Sequence, residues 1–102
     1  MDISVLWAAI LDSLEFDVVA QSITIRAHVE GGSPSEHVMR VTDVRSLEFT
    51  NSIPGPWNYA EITECRVHRV GEGAKVELIL WAEECKLEIV GLAATFDGVA
   101  VP

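Results

Sequence analysis

A chain of 102 residues, 49% of them apolar, is one domain long, can bury roughly two-thirds of its unfolded surface, and is too hydrophobic for a disordered polymer. Sixteen acidic against seven basic residues give a net charge of −9, which argues against nucleic acid and anionic membranes, since both need lysine and arginine to neutralise them. The acid is spread evenly over both halves, so it serves solubility first and a basic protein partner second.

The first predicted element is a helix over residues 3–11. Ile3, Leu6, Trp7, Ile10 and Leu11 share one face of a 3.6-residue period, and Asp2 suits its N-cap. From Ser13 the period becomes two. Leu14, Phe16 and Val18 alternate with acids, and Ile23, Ile25, Ala27 and Val29 alternate with polar residues, which reads as an antiparallel hairpin. "GGSPSE" at 31–36 is a loop, residues 37–42 make a third strand, and Leu47 and Phe49 mark a short fourth. The loop "NSIPGPWNYA" follows. A long strand over 59–70 slips its alternation between Ile62 and Cys65, as a bulge would make it do. "GEGA" turns into a strand at 76–82, "EE" turns back through Cys85, Leu87 and Ile89, and the tail holds an Asp-Gly turn signal with an edge strand.

The expected fold is therefore mainly β: a single domain over 1–102, with an antiparallel sheet of six or seven strands. It forms a sandwich or open barrel with one short N-terminal helix. Leu14, Phe16, Ile23, Ile25, Val76, Leu78, Leu80, Leu87 and Ile89 are expected to form its core. The strand at 76–82 is apolar on both faces, with Ile79 and Trp81 on the second, so either the helix or a second subunit should cover it. No apolar run reaches the ~18 residues that span a bilayer. The start "MDISVLWAAILDSLEFD" carries acids where a signal peptide carries bases. A cytoplasmic protein is expected.

The segment "ILDSLEFDVVAQSITIRAHV", residues 10–29, with "VMRVTDVRSLEFT" and a proline–tryptophan loop after it, resembles the small bacterial YxiG-like proteins. The likeness runs over about residues 6–90, and Leu11 stands before Asp12 where many members carry a histidine. That family is similar to some immunity proteins of bacterial toxin systems, so the resemblance implies a protein partner and no defined chemistry.

Residue by residue, chemistry is sparse. His28 and His68 fall on polar strand faces and His37 opens a strand, without the spacing of a metal site. Glu61, Glu64, Glu83, Glu84 and Glu88 alternate with apolar residues or sit in turns, which reads as a solvated face rather than an acid–base pair. Lys75 with Glu77 and Lys86 with Glu88 are placed for cross-strand charge pairing. Cys65 and Cys85 lack a CxxC spacing and read as buried thiols. No nucleophile elbow, P-loop or zinc signature is present, so no catalytic residue, metal or cofactor is expected.

The remaining signal is aromatic. Pro54 and Pro56 stiffen a loop that presents Trp57 and Tyr59, and Trp81 ends an apolar strand. These three are the candidate interaction surface, although Trp57 is better placed to plug an open end of the sheet. The expected function is a non-enzymatic protein-interaction domain, immunity-like in kind, that meets a basic partner or a second copy as a homodimer. The alternative is a small-ligand binder or weak enzyme using a cleft near the 52–59 loop.

Overall fold

The computed structural model describes residues 6–32, 35–81 and 85–101. Nine strands appear there: β1 (Ile10–Asp17), β2 (Ser22–His28), β3 (Glu36–Thr42), β4 (Ser46–Asn51), β5 (Ala60–Val70), β6 (Gly73–Leu80), β7 (Cys85–Gly91), β8 (Ala93–Phe96) and β9 (Val99–Ala100). All pair antiparallel in one open sheet, in the order β4-β7-β6-β5-β1-β2-β3-β8-β9. Strands β3 and β7 touch, as do β6 and β8, although neither pair is adjacent in that order. The sheet therefore folds over and packs its inner face against itself.

Alternation decides what is buried. Ile23, Ile25 and Ala27 of β2 and Met39 and Val41 of β3 point inward, as do Val76, Leu78 and Leu80 of β6 and Cys85, Leu87 and Ile89 of β7. Cross-strand register stacks them as Ile25 on Met39, Val76 on Ile89 and Leu78 on Leu87. Ile62 and Cys65 are three residues apart, yet both are buried. Only a bulge allows this in a strand of period two, and the register shifts between Ile62 and Glu64. A second bulge between Leu11 and Ser13 does the same for Leu11 and Leu14.

Three expectations are corrected. Among the described residues there is no N-terminal helix, and residues 3–5 lie outside them. Ala8 takes a φ of 69°, which a right-handed helix cannot contain. Its N–H bonds the carbonyl of Ile62 at 2.6 Å, and β1 begins two residues later. The apolar spacing instead puts Leu6 and Ala9 into the core. Nine strands replace six or seven because the tail forms its own hairpin at Asp97–Gly98, with β8 paired to β3. Phe16 has the phase expected of a core residue, but it is 45% exposed, the described residues leaving the inner face open at its end of β1. No helix among the described residues is long and apolar enough to cross a membrane.

Two points tie the folded sheet together. Where β7 hands the chain to β8, Gly91 lies so close to β3 that a Cβ would stand 2.6 Å from Val41 Cγ1 and 2.7 Å from the Thr42 carbonyl. The Leu92 N–H then bonds that carbonyl at 2.9 Å. At the β8–β9 turn, the Asp97 carboxylate accepts from the Val38 N–H at 2.8 Å and from His37 Nδ1 at 2.7 Å. The His37 ring is buried and stacks on Phe96 at 5.4 Å, with its Nε2 meeting no hydrogen-bond partner.

Burial pushes the Asp97 carboxyl up, but the bonds from His37 and Val38 outweigh it and hold the group below its ordinary value of 3.8. Its contribution to stability is complete above that value and is lost as pH falls through the lower folded one. Asp97→Asn should therefore flatten the acid limb of a stability–pH profile, read as urea midpoints between neutral pH and about pH 2. Leu78→Ala should cost about 2–5 kcal/mol in urea unfolding, because it opens a cavity in the centre of the core. Phe16→Ala, in the same phase but uncovered, should cost less than about 1 kcal/mol.

Candidate functional site

The proline loop is built from its ends inward. Asn51 clamps its start, accepting from the Ile53 N–H and donating to the Ile53 carbonyl, both at 2.8 Å. Ile53 packs on the core. The Trp57 indole N–H donates to the Pro54 carbonyl at 3.0 Å, which folds the ring back over the loop, and that ring also packs on the core.

Trp81, at the end of β6, holds a φ of 66°. Its N–H bonds the Glu61 carbonyl at 3.1 Å and its carbonyl accepts from the Thr63 hydroxyl at 3.0 Å. This brings three separate aromatics together. Trp57 meets Trp81 edge-on at 6.3 Å, and Tyr59 meets it at 4.9 Å and 61°. The three residues expected to form an interaction surface do form one cluster, in which Trp57 and Trp81 are half-buried and Tyr59 is 54% exposed.

Beside this cluster the described residues leave the inner face of the sheet uncovered. An open groove of about 360 Å³ runs between Leu11 and Leu14 of β1 and Leu47 and Phe49 of β4. Ala60, Leu80 and Leu87 line it between them, and Trp57 is its aromatic wall. Leu47 is 38% exposed and Phe49 53%. Phe16 continues the same face two residues beyond Leu14. None of these side chains carries an acid, a base or a nucleophile. The loop thus both packs on the core and walls a cleft.

Exposed apolar surface lies here, while on the second face of β6 Ile79 is buried. Sequence reasoning missed Leu47 and Phe49 as site residues. Their alternation marks a strand, but only strand order reveals that β4 is an edge, paired among the described residues to β7 alone.

Some of the charged groups pair with one another. On the outer face of β5, β6 and β7, Lys75 and Lys86 each reach Glu88 at 3.0 Å, while His68 bonds Glu77 at 2.7 Å. Its hydrogen bonds with Lys86 and then Lys75 hold the Glu88 carboxyl below its ordinary value, and the Glu88 bond raises Lys86. His28 bonds Asp12 at 2.7 Å, two strands away from His68, so those two histidines do not meet. Burial pushes the Cys65 thiol up to about 12, which leaves it inert as a nucleophile at neutral pH. Among the described residues no group of three or more His, Cys, Asp or Glu is arranged to hold a metal ion.

No family model matches the chain, and no curated protein matches it. In fold it is similar to a solved structure of an uncharacterized protein from Neisseria gonorrhoeae, with a TM-score of 0.69 over 89% of this chain and 91% of that one. The two share 8% sequence identity, so the likeness is one of fold alone.

Proposed function

We propose that this protein is a non-enzymatic interaction domain that receives apolar side chains of a protein partner in the groove between β1 and β4. The observation that carries the reading is the exposure of Leu47 and Phe49 on the face of the sheet that elsewhere forms the core. Fully burying a phenylalanine is worth about 1.5–3 kcal/mol, and a few such anchors dominate most interfaces. The aromatic cluster supplies a stiff rim, with Tyr59 as its exposed member.

An enzyme using a cleft near the 52–59 loop would need a group to move a proton or attack a substrate. The residues lining that cleft offer only hydrocarbon and one indole. A net charge of −9 suits a basic partner, as an immunity-like role and the resemblance to YxiG-like proteins both imply.

The test compares wild type with Phe49→Glu in affinity capture from the native host cell, followed by reconstitution of the captured protein from purified components. The expected result is a partner that binds wild type and loses about tenfold or more in affinity for the variant, with urea midpoints unchanged. Equal binding by both proteins, or no partner that reconstitutes, would sink the reading.

A further inference from the structure

The groove has a bank that is itself unpaired. Strand β4 stands at the end of the sheet order and pairs with β7 through Ser46–Val90 to Asn51–Cys85, leaving its other side without a strand among the described residues. Alternate residues of an edge strand turn their N–H and C=O groups outward, which makes it a template for another strand. β4 is six residues long and exposed along its whole length. The opposite edge, β9, has two residues.

We infer that the partner adds an extended segment to the free edge of β4, and that this segment alternates apolar residues with lysine or arginine. The inference rests on the groove being a contact surface and adds the form and chemistry of what enters it.

The alternation of β4 dictates both halves of that pattern. A strand laid about 4.8 Å beyond β4 places alternate side chains next to Leu47 and Phe49, over the uncovered apolar face. The side chain between them falls next to Glu48 on the outer face. Glu48 already lies opposite Glu88, which in turn lies opposite Glu77. Glu88 is paired with Lys75 and Lys86, and Glu77 lies against His68 and Lys86. Glu48 takes part in none of the ion pairs among the described residues. It is the acid at the open end of a charge ladder, and a cation opposite it completes the row.

The same residue disfavours a second copy of this chain. Antiparallel pairing of two β4 strands sets Leu47 against Phe49 in both directions only when Glu48 faces Glu48 of the other copy. Like charges directly opposed are destabilising. Other registers place at least one of the two apolar residues opposite a polar one.

Three terminally blocked seven-residue peptides test this by titration calorimetry at low ionic strength, with amide hydrogen exchange followed at residues 46–51. One alternates lysine with valine, one alternates glutamate with valine, and one has the first composition with its lysines grouped. The alternating lysine peptide should bind about tenfold tighter than either other peptide, with an advantage that shrinks as salt is added, and should protect β4 amides. Glu48→Lys should weaken it about tenfold. Glu72→Lys, the same charge change in the exposed turn before β6, should stay within about twofold, since a distant charge is largely screened.

Equal binding of the grouped-lysine peptide, or equal loss in both variants, would reduce the effect to diffuse charge and overturn the inference. Protection of β4 that rises with protein concentration in the absence of peptide would assign the edge to a second copy and overturn it too. Failure of the alternating peptide, with Phe49→Glu still abolishing partner capture, would remove strand addition and leave the groove reading intact.

Discussion

The arrangement hangs on a short seam between β1 and β5. Only Ile10–Glu61 and Leu11–Ala60 pair there, extended by reciprocal bonds that join Ala8 and Ala9 to Ile62. Beside the seam each strand carries a bulge in its other ladder, after Leu11 where β1 pairs with β2 and after Ile62 where β5 pairs with β6. A bulge bends its strand and sharpens the local twist, so two bulges flanking a narrow seam fold the halves of the sheet toward each other. A longer, regular ladder would hold the same nine strands flatter. The core contacts between β3 and β7 and between β6 and β8 would then be lost.

The seam also explains why the groove exists. It carries β1 to the far side of the inner face from β4, so Leu11 and Leu14 look across at Leu47 and Phe49 without closing on them. The contacts that shut the fold lie elsewhere, at the close approach of Gly91 to β3 and at the Asp97 bridge to His37 and Val38. One part of the inner face is thus sealed by backbone proximity, and the part beside the aromatic cluster stays open. An open apolar face next to an unpaired edge is an aggregation hazard unless something limits it. The unneutralised Glu48 is placed to do so against copies of this chain, while leaving the edge available to a strand of opposite charge.

Much of the architecture is legible because it is local. Period-two alternation marks β2, β6 and β7 with their correct inward phase, and the slip between Ile62 and Cys65 announces the β5 bulge. The Asp97–Gly98 turn is visible in the tail. The N-terminal segment is the instructive failure. Leu6, Trp7, Ile10 and Leu11 have helical spacing, yet Leu6 is buried in a turn, Trp7 is half-exposed with its indole on the Cys65 carbonyl, and the last two enter β1. Four apolar residues satisfy a helical period by chance easily, and the bonds offered by Ile62, more than fifty positions away, decide the outcome.

By itself, then, the sequence determined the antiparallel β class, the rough positions of the strands from β2 to β7 and the apolar side of β2, β6 and β7, since these follow from neighbours one or two residues apart. Tertiary structure alone decided strand order, and with it which apolar side chains are covered. Leu14 and Phe16 share one phase of one strand and differ only in what lies above them. Trp57, Tyr59 and Trp81 meet because a loop and a strand end converge across more than twenty residues of chain. Alternation assigns a side chain to a face of the sheet; whether that face is closed depends on how distant strands fold over it, and no local pattern encodes that.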